Sequence, residues 1–195
     1  MPDQHSSLRH EIAAAAARFI ADGGLDYASA KRKAAQEVCG GHAPRGMLPD
    51  NDEVDDALRE HLDLFDEDHA ARVQALRRTA LTLMSQLQAF SPLVTGAAWK
   101  GVAAEHVPLH LQLFPDNPKE VDYWLLERGI DFEVDTIAHL HGRGEATVLG
   151  LIWEGTPVML SLYDPDDRRG ALREGARGAP RGDRDALLKR MEADT

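Results

Sequence analysis

The chain has 195 residues, of which 33 are acidic and 22 are Lys or Arg, so its formal net charge is −11. This length suits one core of ordinary size, or a helical unit beside a small α/β domain. Because no apolar run approaches ~18 residues, no transmembrane helix is predicted, and the first residues lack the features of a signal peptide. The single Cys39 excludes an internal disulfide and a four-cysteine zinc module, which predicts a cytoplasmic protein.

The charge is unevenly distributed along the chain. Residues 168–190 contain eight Lys or Arg and three acids, a local charge of +5, so the remainder carries −16. Nucleic-acid affinity depends on basic side chains that neutralise phosphates, so strong nucleic-acid binding is not expected of this acidic body. The basic segment could contact a phosphate, but a solvated tail balanced by the body is the favoured interpretation.

The first fifty residues predict two helices. The first begins near residue 6 and ends at a glycine pair, and Asp26 can cap a second that also ends at a glycine pair. A carboxylate at the N-cap accepts a hydrogen bond from first-turn amides, and glycine tolerates the left-handed conformation that follows a helix. Residues 42–49, which include two prolines, predict a loop.

A longer helical region opens at Asn51, and a break near Phe65 is left open because no glycine or proline lies there. Its second part carries apolar and histidine positions at 4-3-4-3 spacing: His69, Val73, Leu76, Ala80, Leu83, Leu87 and Phe90. These positions share one stripe of a helix ~30 Å long. The stripe could form a homodimer through the 69–90 helix, but three heptads is a minimum for a coiled coil, and packing on its own domain is favoured.

From Pro92 the pattern changes to α/β. The predicted strands are 93–95, 109–114, 130–134, 148–153 and 158–163, and the predicted helices lie within 96–101, 119–128 and 183–191. The last two strands form a hairpin. We therefore predict an α+β protein with a helical region over 1–90, a core with a small mixed sheet over 91–168, and a basic C-terminal segment over 169–195.

Polar residues alternate with apolar ones in two predicted strands. His110 and Gln112 share one face of the second strand, and Asp131, Glu133 and Asp135 share one face of the third, because alternate residues of a strand point to the same side. If these strands are neighbours, His110 lies near Glu133 or Asp131. An imidazole beside carboxylates can bind a metal or act as an oriented base, although a solvated sheet face gives the same alternation.

A glycine-containing segment, LVTGAAWKGVA at 93–103, leads into the strand with His110. It resembles the signature of the minimal nucleotidyltransferases of the DNA polymerase β-like superfamily. That signature is an apolar strand, Gly-Ser, a second glycine, an alanine, and then a strand with two aspartates separated by one residue. Gly96 and Gly101 occupy the glycine positions and Ala103 the alanine position.

The resemblance implies a phosphoryl-transfer site. Gly96, Ala97, Lys100 and Gly101 would contact nucleotide phosphates, since a glycine lets backbone approach a phosphate closely. Three carboxylates would hold divalent metal ions such as Mg²⁺ that stabilise the attacking and leaving oxygens.

This chain departs from the signature at three positions. Ala97 replaces the serine, while Pro108 and His110 replace the two aspartates. Asp131 or Glu133 occupies the place of the third carboxylate. His110 is a poor ligand for Mg²⁺ and a better one for a transition metal such as zinc, so the predicted metal ligands are His110 and Glu133.

Three functions are compatible with these features. The favoured one is a nucleotidyltransferase-like protein that has lost catalysis and binds a nucleotide or metal, or regulates. The second is a phosphoryl- or nucleotidyl-transfer enzyme with an altered site in which His110, Glu133 and Asp131 carry the chemistry. The third is a non-enzymatic dimeric interaction module that uses the helical half.

Overall fold

The computed structural model describes residues 3–41, 43–44, 46–105, 107–142, 144–173 and 178–194. The chain divides into two compact units, Met1–Ala71 and Arg72–Thr195. The sequence analysis grouped residues 1–90 as one helical region. In the structure, most of the fourth helix instead belongs with the sheet.

The first unit contains three helices, α1 (Asp3–Gly23), α2 (Tyr27–Cys39) and α3 (Asn51–Phe65). Their shared core is small and rich in alanine, with Ile12 and Val54 among the residues that exclude solvent completely. Asp26 caps α2 by accepting a hydrogen bond from the Ser29 amide. These features confirm the two predicted helices and the predicted cap.

The break after α3 depends on an aspartate rather than on glycine or proline. The Asp66 side chain accepts from the Asp68 amide at 3.1 Å, and its carbonyl accepts from the His69 amide at 3.1 Å. Such aspartate turns offer the backbone an alternative to the helix. The long helical region is therefore two helices, and α4 (His69–Gln86) begins after the turn.

The second unit is a mixed five-stranded sheet with helices, so the predicted α+β class is confirmed. The sheet order is β1-β2-β5-β4-β3, with β2 and β5 parallel and the other pairs antiparallel. The strands are β1 (Leu93–Thr95), β2 (Leu109–Leu113), β3 (Phe132–Ala138), β4 (Glu145–Trp153) and β5 (Thr156–Leu162). The helices that follow α4 are α5 (Gly96–Lys100), α6 (Lys119–Glu127), α7 (Arg168–Ala171) and α8 (Arg184–Ala193).

One face of the sheet is apolar and supports the main core. The apolar stripe of α4 is buried there, with Leu83 and Leu87 at most 1% exposed and clustered with Leu111 and Leu160 of the sheet. This packing within one unit is the arrangement that the sequence analysis favoured. A homodimer formed through the same stripe lacks support, because the sheet of the same unit already covers those side chains.

The third strand differs from its prediction in bounds and in position. The sequence predicted 130–134, whereas β3 spans Phe132–Ala138 at the far edge of the sheet. Two successive hairpins, β3–β4 and β4–β5, return the chain so that β5 pairs with β2. The strands that carry His110 and Glu133 are therefore not neighbours.

The described part of the basic C-terminal segment is integrated into the second unit. Gly182 and Val94 exchange two backbone hydrogen bonds, of 2.8 and 3.0 Å, at the outer edge of β1. Leu187 of α8 is completely buried in the main core. This segment was predicted as a solvated tail, but its backbone satisfies the open edge of β1.

A buried arginine joins three separate elements of the second unit. Arg77 of α4 is 1% exposed. Its Nε donates to the Ala98 carbonyl of α5 at 2.9 Å, and its Nη1 lies 2.7 Å from an oxygen of Asp194, which follows α8. Burying a charge is costly unless it is paired and hydrogen-bonded, so these contacts fix α5 and α8 against α4.

Replacing Arg77 should destabilise the second unit selectively. Arg77→Ala leaves a cavity and an unpaired carbonyl, and we expect a loss of about 3 kcal/mol. Trp99, Trp124 and Trp153 all lie in this unit, so urea unfolding followed by tryptophan fluorescence reports on it alone.

The exposed neighbour Arg78 provides the matched control for that measurement. Arg78→Ala should change stability by less than about 0.5 kcal/mol. Asp194 is half exposed, and Asp194→Asn keeps an acceptor oxygen for the buried guanidinium, so it should cost less stability than Arg77→Ala. Equal midpoints for Arg77→Ala and Arg78→Ala would contradict the structural role of Arg77.

Candidate functional site

The structure places Gly96 directly against His110. β1 ends at Thr95, which pairs with His110 of β2. Gly96 follows with φ of +63°, and a Cβ built on it would lie 3.3 Å from His110 Cδ2. The left-handed conformation favours glycine, and a Cβ at this distance would be in tight contact with the imidazole ring. Gly96 and His110 are therefore adjacent at the end of β1.

The other predicted phosphate contacts have different surroundings. Gly101 ends α5 with φ of +70°, and a Cβ there would lie 3.1 Å from an Arg77 guanidinium nitrogen. Its amide donates to the Ala97 carbonyl at 2.8 Å. Lys100 is half-buried on α5. Gly101 thus faces the buried arginine, while Gly96 faces His110.

The predicted carboxylates lie far from His110. One row of paired residues crosses the sheet from His110 through Met159 and Gly150 to Glu133. Three strand spacings separate the two ends, or roughly 14 Å. Asp131 precedes β3 and is exposed, as is Glu133. The structure therefore does not bring His110 together with either carboxylate.

The donor set around His110 does not fit the predicted metal. Among the residues that the structure describes, no three or more His, Cys, Asp or Glu side chains are grouped to hold an ion. Mg²⁺ and Zn²⁺ bind protein ligands at about 2.0–2.3 Å, so His110 and Glu133 cannot share one at their separation. No chemical step is assigned to a metal here.

A buried polar cluster adjoins His110 on the second face of the sheet. Gln112 of β2, Ser161 of β5 and Tyr163 are 7%, 5% and 5% exposed. The side chains of Ser161 and Gln112 hydrogen-bond to the Tyr163 hydroxyl, and the charge of Arg181 acts on the same group. These four residues and His110 form what we call the polar cluster.

Two atoms of the polar cluster are buried without a hydrogen-bond partner. They are Oε1 of Gln112, an acceptor, and Nε of Arg181, a donor. A buried polar atom left unpaired costs about 1–3 kcal/mol. Such atoms in a folded protein need an explanation: Oε1 of Gln112 can accept a further hydrogen bond, and Nε of Arg181 can donate one.

Burial sets the protonation states in the polar cluster. Desolvation lowers the pKa of His110 below its usual value of 6.5, so the imidazole is neutral at pH 7. Burial also raises the pKa of the Tyr163 hydroxyl, which therefore keeps its proton. Burial lowers the pKa of Arg181, yet a guanidinium remains charged near neutrality. The polar cluster thus has one cation beside neutral donors and acceptors.

A second group of polar residues closes one end of this face. The two carboxylate oxygens of Asp167 each lie 3.2 Å from an imidazole Nε2, one of His139 and one of His141. The His141 amide donates to Nδ1 of His139 at 3.3 Å, which leaves the His139 proton on Nε2, facing the carboxylate. This geometry holds the 165–167 turn to the 139–142 turn and opposes metal binding through Nε2.

A cavity of about 170 Å³ opens on the opposite, apolar side of the sheet. Arg72, Leu76, Val107 and Thr156 are among its lining residues. The Arg72 Nε already donates to the Ala103 carbonyl at 3.2 Å. This cavity is small and mostly apolar, so the polar cluster is the stronger candidate for recognition.

Sequence reasoning identified His110 and Gln112 but not the other members of the polar cluster. The available signal was Met159, Ser161 and Tyr163, which alternate with buried apolar residues in β5 and just after it. Arg181 carried no local signal, because its place depends on the pairing of Gly182 with a strand almost ninety residues earlier.

Comparison with known proteins adds no family assignment. No protein-family model matches the chain, and no curated protein has a matching sequence. Among the described residues, no helix has both the length and the apolar character needed to cross a membrane.

The lowered pKa of His110 predicts an acid-sensitive second unit. Below about pH 6.5 the unfolded chain binds a proton that the folded His110 resists, so stability falls as the pH drops towards the folded pKa. His110→Gln should therefore lose less stability between pH 7.5 and pH 5.5 than the unmodified chain, in urea unfolding followed by tryptophan fluorescence. The exposed His10 serves as control, and His10→Gln should retain the full pH difference. An unchanged difference in His110→Gln would contradict the assignment.

Proposed function

We propose that this protein binds a nucleotide at the corner between β1 and β2 and does not transfer nucleotidyl groups by a metal-dependent route. The observation that carries the proposal is the contact between Gly96 and His110, next to a buried cluster with unpaired polar atoms. On this proposal, the chain is a degenerate relative of the nucleotidyltransferases it resembles, with a binding or regulatory role.

The surroundings of Gly96 support the binding role. Thr95, Gly96 and His110 are half-buried, so a ligand can reach them from solvent. Beside His110 lie the buried side chains of Gln112, Ser161 and Tyr163, with an amide oxygen and hydroxyls, and the half-buried guanidinium of Arg181. A few polar groups on an apolar support are typical of a small-molecule site.

The positions of the carboxylates support the loss of catalysis. Two-metal phosphoryl transfer needs carboxylates that converge on ions about 4 Å apart. Pro108 and His110 stand at two of the required positions, and Glu133 lies three strands from His110. An altered enzyme that uses His110 with Glu133 therefore gains no support from this geometry.

Calorimetric titration of the full chain tests both parts of the proposal. The ligands are the ribonucleoside mono-, di- and triphosphates, each in EDTA and then in Mg²⁺, Mn²⁺ or Zn²⁺. We expect at least one nucleotide to bind in EDTA. His110→Ala should weaken that binding about tenfold, the effect of losing one hydrogen bond to a charged group.

Glu133→Ala is the matched control, because Glu133 is exposed at the far edge and should leave affinity unchanged. Binding that needs a divalent ion and is lost in Glu133→Ala would overturn the proposal and favour the altered enzyme. Failure of every nucleotide to bind would also overturn it.

A further inference from the structure

We infer that the anionic group recognised by the polar cluster is a single phosphate held by Arg181 without metal, so that the ligand is a nucleoside monophosphate. This inference rests on the proposed function and specifies its ligand.

Arg181 lies on a segment that is held firmly against β1. Beside the two backbone hydrogen bonds of Gly182, the Thr95 hydroxyl donates to the Pro180 carbonyl at 3.1 Å. The Trp99 indole donates to the Ala179 carbonyl at 2.7 Å. Because the backbone on both sides of Arg181 is anchored, its guanidinium is preorganised more than that of an ordinary surface arginine.

Gly182 allows the segment that contains Arg181 to lie directly against the Trp99 ring. A Cβ built on Gly182 would lie 2.3 Å from two ring atoms of Trp99, so no side chain fits there. Gly182 faces the apolar side of the sheet, where Trp99 belongs to the main core. The preceding residue, Arg181, is therefore directed to the other side, towards Tyr163, with whose hydroxyl its charge interacts.

The two unpaired atoms define the ligand chemistry. Nε of Arg181 needs an acceptor, and Oε1 of Gln112, on a side chain more than nine-tenths buried, needs a donor. The non-bridging oxygens of a phosphate accept hydrogen bonds from guanidinium groups. A ribose hydroxyl, or the phosphate when singly protonated, can donate to an amide oxygen. A phosphorylated ribose offers both.

The charge of the polar cluster selects one phosphate over three. Arg181 is its only cation, since His110 is neutral, and Asp167, the acid whose charge reaches Tyr163, is held by two imidazoles. A phosphate monoester carries about −1.5 to −2 at pH 7, which one guanidinium and several neutral donors can balance. A triphosphate carries more charge and normally brings Mg²⁺, for which the described residues offer no grouped ligands.

The test compares ligands that differ only in phosphate number. The full chain in EDTA is titrated with AMP, GMP, CMP and UMP, with the matching triphosphates and nucleosides, and with inorganic phosphate. We expect one monophosphate to bind at least tenfold more tightly than its nucleoside and its triphosphate. Arg181→Met should lower that affinity at least tenfold while the tryptophan unfolding curve confirms that the unit remains folded.

Two variants sharpen the result. Arg181→Lys keeps the charge but lacks Nε, and we expect it to recover only part of the affinity. Arg173→Met removes an exposed arginine outside the polar cluster and should have no effect. Equal losses in Arg181→Met and Arg173→Met would overturn the inference, because they would indicate only a general charge effect.

The outcomes separate this inference from the proposed function. Nucleotide binding that depends on His110 but not on Arg181, or that is tightest for a triphosphate, overturns the inference alone. If inorganic phosphate binds through Arg181 and no nucleotide binds, the assignment of a nucleoside monophosphate is overturned. Only the phosphate subsite at Arg181 is then retained. No binding by any of these ligands overturns both.

Discussion

The buried guanidinium of Arg77 is the constraint on which the rest of the second unit depends. It holds the carbonyl end of α5 and the end of α8, and it fills the space where a side chain on Gly101 would lie. The pairing of Thr95 with His110 places Gly96 against the imidazole, and because α5 begins at Gly96, Arg77 holds the helix that follows. The candidate site is thus supported by an ion pair that it does not contain.

The two faces of the sheet have different roles. One face is covered by α4 and other helices and supplies the large apolar core. The other is apolar only at one end, where Phe114, Tyr163 and Ala171 pack together, and it keeps buried polar groups beside His110. Retaining such groups lowers stability, and active or binding sites are where folded proteins tolerate that cost.

The parts of the fold that depend on neighbouring residues could be predicted from the sequence, and the parts that depend on distant pairing could not. The Asp26 cap, the turn at Gly96 and the last hairpin are local, so their residues specify them directly. The order of the strands is set by which hairpin returns to β2, and no pattern within β3 records that. Gly96 and His110 meet across two strands that pair with each other, whereas Glu133 was expected near His110 and lies at the far edge. Arg181 was missed for the same reason, since the segment that holds it pairs through Gly182 with a strand almost ninety residues earlier.

The pairing of β1 with Gly182, and of Arg77 with Asp194 across 117 positions, has a consequence for synthesis on the ribosome. The helices of the first unit contact one another within 71 consecutive residues, so they can assemble while translation continues, as N-terminal domains generally do. The second unit cannot close until residues 178–194 have left the ribosome. Until then β1 has an unpaired edge and Arg77 an unpaired charge, and the nascent second unit is exposed to misfolding for most of the time that its own synthesis takes.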